Sequence, residues 1–146
     1  MLKKVSLIII LILAMSLMGC SNKDVIKHKY YFKGEGNLWD AYYQEKSVET
    51  YREIDGILDY DCDTESTFTA EYKYDLSDLV NVKKIEVGYD AGSFGSTLTE
   101  NYIENGPDKR AFIIKSTSGL VSNEAGIIKV NISIDGKTET FELQSQ

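Results

Sequence analysis

With 146 residues, 16 basic and 23 acidic side chains, the chain is long enough for one domain with its own hydrophobic core and carries a net charge of −7. That balance repels nucleic acid and anionic headgroups, which excludes both as partners held by charge. Two cysteines and one histidine leave little material for a disulfide framework, a zinc site or histidine-based catalysis.

The chain opens with Lys3 and Lys4 and then runs almost unbroken through apolar residues from Val5 to Met18. This is the build of a secretory signal, and it is short for a bilayer span. The quartet that closes it, Leu17-Met18-Gly19-Cys20, resembles the lipobox of bacterial lipoproteins. The resemblance implies a diacylglycerol on the Cys20 thiol and cleavage just before it. An ordinary secretory signal or an uncleaved anchor is the alternative. The expected organisation is a lipoprotein signal over 1–19, a tether over 20–24 and a β domain over 25–146. The domain is expected to be lipid-anchored on the extracytoplasmic face of the cell membrane, with the bilayer as a partner through Cys20. Two acyl chains anchor stably without help from a basic patch. Loss of Lys3 and Lys4 with the signal takes the net charge from −7 to about −9. Cys62 then stands alone, so the mature domain forms no internal disulfide, and burial is the simplest use for that thiol.

Val25 to Lys33 alternates as a strand, with Ile26, His28, Tyr30 and Phe32 on one face. His28 reads as a partly buried structural residue, because no second histidine exists to share a catalytic or metal site. Gly34-Glu35-Gly36-Asn37 is a turn, after which Trp39, Ala41 and Tyr43 mark a second strand. The run from Tyr30 to Trp39, an aromatic strand, a Gly-Glu turn and then tryptophan, is similar to a pattern found early in small lipoproteins of Gram-positive bacteria. That resemblance implies a secreted, membrane-anchored β domain and carries over no catalytic residue.

Val48 to Ile54 reads as a weaker strand, and Asp55-Gly56 as a two-residue hairpin turn. The longest alternation follows. Leu58, Tyr60, Cys62, Phe68, Ala70, Tyr72 and Tyr74 share one parity, and Asp59, Asp61, Asp63, Glu65 and Glu71 share the other, as one long strand or as two joined near Thr64 to Ser66. Asp59, Asp61 and Asp63 are weak metal candidates. An EF-hand loop opening there would need glycine and glutamate where Thr64 and Ala70 stand. Acids at period two form a row along a strand and do not converge, so the expected role is a solvated face that discourages edge pairing, with no cofactor.

Leu76 to Val80 is the one credible helix, capped by Asp75 or Ser77 and crossing between sheets. Strands over Lys83–Asp90, Thr97–Glu104 and Ala111–Ser116 are separated by the loop 91–96 and the turn Asn105-Gly106-Pro107-Asp108. The chain closes with a hairpin about Asp135-Gly136. Its predicted register sets Ile128 against Leu143, Lys129 against Glu142, Val130 against Phe141 and Asn131 against Thr140.

Eight to ten strands and one small helix predict an all-β fold: an antiparallel, immunoglobulin-like β-sandwich, or as the alternative a small β-barrel whose interior could hold an apolar ligand. Core packing is the expected use of most of the ten tyrosines. The functional expectation is a non-catalytic extracytoplasmic module that binds or scaffolds an envelope or extracellular partner. The alternatives are a cell-envelope enzyme using carboxylates and a calcium-dependent binding module. Neither a nucleophile motif nor zinc-ligand spacing supports catalysis.

Overall fold

The computed structural model describes residues 23–92, 94–124 and 126–146. The expected signal and Cys20 lie outside the described residues. Eight strands follow in order: β1 (Lys23–Glu35), β2 (Trp39–Ile54), β3 (Ile57–Tyr72), β4 (Lys84–Asp90), β5 (Gly95–Asn101), β6 (Ala111–Ser118), β7 (Ile128–Ile134) and β8 (Lys137–Ser145), with one 3-10 turn at Leu76–Leu79 between β3 and β4. The fold is all-β, and of the two expected architectures it takes the barrel. One antiparallel sheet of order β5-β4-β7-β8-β1-β2-β3-β6 is nearly closed on itself.

Local chemistry accounts for the hairpins. Asp55 and Gly56, like Asp135 and Gly136, take positive φ at both central positions, the geometry that a two-residue turn needs to follow the right-handed twist of its strands. The β7–β8 register is the predicted one, pairing Ile128 with Leu143 and Val130 with Phe141. The β2–β3 register pairs Ile54 with Ile57 across its turn and runs unbroken to Trp39 and Tyr72. One expectation changes here: Val48 to Ile54 is the second half of β2 and not a separate strand. Of the two readings of the even-numbered run of β3, the single continuous strand holds, without a break at Thr64 to Ser66. The polar residues that suggested breaks are paired across the sheet, where periodicity alone could not place them.

Asp75 caps the 3-10 turn by accepting the Ser77 amide at 2.9 Å, and this turn carries the chain from β3, in one half of the sheet, to β4 in the other. The halves are joined by hydrogen bonding at a short seam, where Phe32 and Lys33 of β1 pair with Ser145 and Gln144 of β8. Opposite the seam, β5 and β6 leave the barrel incompletely closed. There Tyr89 of β4 reaches Ser116 of β6 at 3.4 Å, and Lys109 bonds Glu100 of β5 at 2.7 Å.

The barrel interior is filled by aromatics. Phe32, Trp39, Tyr43, Phe68 and Phe112 are essentially inaccessible, with Trp39 meeting Tyr72 and Phe112 edge-on at 5.3 and 5.6 Å. Such packing leaves the central space to side chains, as in other small barrels. Fewer tyrosines serve this core than expected. Tyr43, Tyr72 and Tyr89 are buried and Tyr30 and Tyr102 pack against the cluster, whereas Tyr31, Tyr60 and Tyr74 are exposed.

Candidate functional site

Strand lengths create the most distinctive feature. β8 reaches β1 only at Phe32 and Lys33, and β6 pairs with β3 only as far as Thr64. Beyond those limits β1, β2 and β3 continue to Lys23, Ile54 and Ile57, so a three-stranded ribbon stands out from one end of the barrel. Its inner face continues the inner face of the barrel. In register, the rungs run from Phe32, Tyr43 and Phe68 in the core, through Tyr30, Glu45 and Ser66, then His28, Ser47 and Thr64, then Ile26, Glu49 and Cys62, to Asp24, Tyr51 and Tyr60. Chemistry thus changes rung by rung from apolar to polar to aromatic.

The first polar rung holds a buried carboxyl group. Glu45 is 2 % exposed, and every partner it has is a donor. Tyr43 Oη donates to Oε2 at 2.9 Å, and Ser47 Oγ and the Ser122 amide donate to Oε1, each at 2.9 Å. The Ser122 hydroxyl also donates to Oε2. Thr64 extends the network by donating to Ser47 at 2.9 Å. Ser122 arrives on the β6–β7 loop, which crosses this end of the barrel and brings Gly119 close to Cys62. A buried polar group is tolerable only when satisfied, and this one is saturated. Burial also pushes the Tyr43 phenol well above its ordinary pKa.

Beyond the loop lies a second cluster, centred on Glu49. Its Oε2 lies 2.6 Å from His28 Nε2, and its Oε1 accepts from Tyr60 at 2.8 Å and Tyr51 at 3.3 Å. His28 Nδ1 faces the Tyr30 hydroxyl at 3.0 Å, so both ring nitrogens are engaged inside the protein. The bond to Glu49 places a proton on Nε2; Nδ1 either accepts from Tyr30 or, in the imidazolium, donates to it. Hydrogen bonds from His28 and then Tyr60 hold the Glu49 carboxyl below the usual carboxylate range, while the bond to Glu49 and burial raise the Tyr60 phenol. Tyr51 and Tyr60 lie 5.0 Å apart, centroid to centroid, and Tyr60 is half exposed. This face therefore presents aromatic edges and hydroxyls outward from a fixed ionic centre.

Acid should loosen the Glu49 cluster and two carboxylate contacts elsewhere in the fold. Glu49, Glu35 beside Lys73, and Asp75 bonded to the Ser77 amide all titrate below their ordinary values of 4.5, 4.5 and 3.8. A depressed folded-state pKa gives stability that is present above the unfolded value and is lost as pH falls through the folded one. The melting temperature is expected to hold at neutral pH and decline progressively below about pH 4.5, with Glu49→Gln showing a shallower decline.

Asp59, Asp61 and Asp63 lie in a row on the outer face of β3, as expected. Arg52 Nε pairs with Asp59 at 3.2 Å, and its guanidinium reaches Asp61 at 3.9 Å. Among the described residues, no group of three or more His, Cys, Asp or Glu side chains is arranged to hold a metal ion. Cys62 is a free, buried thiol on the inner face, 3.7 Å from Thr64 Oγ1.

Glu45 and Glu49 were not singled out in the sequence, although a signal existed. Both share the odd parity of Trp39, Ala41 and Tyr43 on β2, which turns them inward. Ser122 had no such signal, because it sits in an irregular loop. Comparison with protein-family models, with curated proteins and with solved structures finds no match to this chain.

Proposed function

We propose that the chain is a membrane-anchored bacterial lipoprotein whose β domain, on the extracytoplasmic face, binds or scaffolds another molecule of the envelope without catalysing a reaction. The supporting observation is the sequence Leu17-Met18-Gly19-Cys20 set three residues before β1 begins at Lys23. Among the described residues the core starts only at Tyr30 and Phe32. Among those residues, too, no helix is long and apolar enough to cross a membrane.

The non-catalytic part of the proposal rests on occupancy. The carboxyl oxygens of Glu45 and both nitrogens of His28 are engaged by partners within the fold, which supports a structural use for both. The inner face of the ribbon, with Tyr51 and Tyr60 set about Glu49, is the surface offered to a partner.

The test is the intact mass of the full-length protein extracted from membranes, compared with Cys20→Ala. The expected result is a diacylglycerol-sized increment on a chain beginning at Cys20, with the variant released from the membrane fraction. An unmodified, freely secreted wild-type chain would overturn the reading.

A further inference from the structure

The tip of the ribbon carries exposed apolar side chains on both sides, with Glu53 beside Leu58 on the inner one. Ile54, Ile57 and Leu58 are 54 %, 71 % and 68 % exposed; Val25 and Ile26, close to half exposed, lie four and five rungs down the ribbon opposite Thr50 and Glu49, beyond the charged rung of Lys23, Arg52 and Asp59. By strand parity Val25, Ile54 and Ile57 stand on the outer face, and Ile26 and Leu58 on the inner. Three large apolar side chains exposed together at a tip mark a contact surface. A protein partner covers one face of a sheet, whereas a fluid apolar phase closes around a tip from both.

The covalent geometry of the chain says which phase is near. Lys23 pairs with Arg52, which pairs with Asp59, so the first rung of β1 lies two residues from the β2–β3 turn. Three peptide steps separate Lys23 from Cys20 and span at most about 11 Å. Resting on the reading of Cys20 as the lipid anchor, we infer that the β2–β3 tip, with Ile54, Ile57 and Leu58, enters the boundary between lipid headgroups and acyl chains beside the anchor and holds the barrel upright on the membrane.

The two-residue turn closes the ladder, so the tip brings few unpaired backbone groups with it. Asp55 in the turn and the ion pair of Arg52 with Asp59 stop the tip in the interfacial layer, because a charge is costly in the hydrocarbon core. With a mature net charge of about −9, apolar contact drives the seating, and anionic lipid is not required. The opposite end of the barrel, with the β7–β8 turn, then faces away from the bilayer.

The experiment uses the full lipidated chain in phosphatidylcholine vesicles, with an environment-sensitive fluorophore on Ile57→Cys, on Ile54→Cys or, at the opposite end, on Lys137→Cys. The wild type serves as the control for labelling of Cys62. The expected result is blue-shifted emission, quenched by nitroxide lipids, at positions 57 and 54 and water-like emission at position 137. Water-like emission at all three positions, on a chain whose mass shows the lipid on Cys20, overturns the tip and leaves the anchored reading standing. A chain without that lipid fails the anchored reading and takes the tip with it. A blue shift that disappears when vesicles hold one copy each assigns the tip to a second copy of the chain and also overturns the inference. Agreement between positions 54 and 57 guards against a local defect at either label.

Discussion

Glu45→Ala is expected to destabilise the domain by about 3 to 5 kcal/mol, a fall in melting temperature of roughly 10 to 20 °C. The side chain is buried at the junction of barrel and ribbon, and its loss strands the Tyr43 and Ser47 hydroxyls and the Ser122 amide and hydroxyl together. Each unsatisfied buried donor costs on the order of 1–3 kcal/mol, and the vacated space adds a cavity term. The partners predict a graded response. The Ser122 amide can only donate, so in Glu45→Gln the amide oxygen must take the place of Oε1 and the new amide group the place of Oε2. There the Tyr43 and Ser122 hydroxyls can rotate to accept. Glu45→Gln should therefore cost only about 1 kcal/mol. Thermal or urea unfolding of the three proteins checks the order, and equal losses in both variants would show that the shell does not depend on this donor pattern. Ser122 anchors the crossing loop through the same group, so Glu45→Ala should also speed amide exchange of Ser122 far more than that of β7.

Gly34→Val is expected to open the seam between the two halves of the sheet, at a cost of about 3 kcal/mol, with Gly34→Ala somewhat milder. A β carbon at this position would collide with the Glu142 carbonyl oxygen and lie 2.9 Å from Leu143 Cδ2. One neighbour is backbone and the other is a core side chain, so neither can swing away as an exposed side chain would. The strain falls beside the pairs that join the halves, Phe32 with Ser145 and Lys33 with Gln144, and beside the Gln146 amide, which donates to the Tyr31 carbonyl at 3.0 Å. Hydrogen exchange should accelerate first at Gln146 and the β1–β8 rungs, while the β7–β8 hairpin, closed by its own turn, keeps its protection. Uniform acceleration across both hairpins would mean that the halves do not separate at this seam.

Legibility in the sequence followed the range of the interactions. The β7–β8 register could be read because Asp135-Gly136 fixes the turn and the alternation fixes the face, and both are local. The inward placement of Cys62 and the row of Asp59, Asp61 and Asp63 followed from the same period of two. The cap at Asp75 lies within three residues of its partner. The unity of β2 was less visible, because Glu45, Ser47 and Glu49 look like a polar interruption until their partners on β1, β3 and the crossing loop are known. The same polar residues displaced tyrosines from the core: Tyr51 and Tyr60 follow the inward parity, yet at their level no opposing strand remains to cover them.

Composition, parity and turn chemistry by themselves determined an all-β chain, its final hairpin and the face that β1, β3 and β4 turn inward. Each of these depends on neighbours within a few residues, where covalent geometry limits the choices. Tertiary structure alone decided that β1 pairs with β8 and so makes one nearly closed sheet, that Ser122 closes over Glu45, and that three strands outrun the barrel. Those outcomes depend on which distant strands meet and where each partner stops, and a strand's own sequence carries its face and its period but not the length of its neighbour.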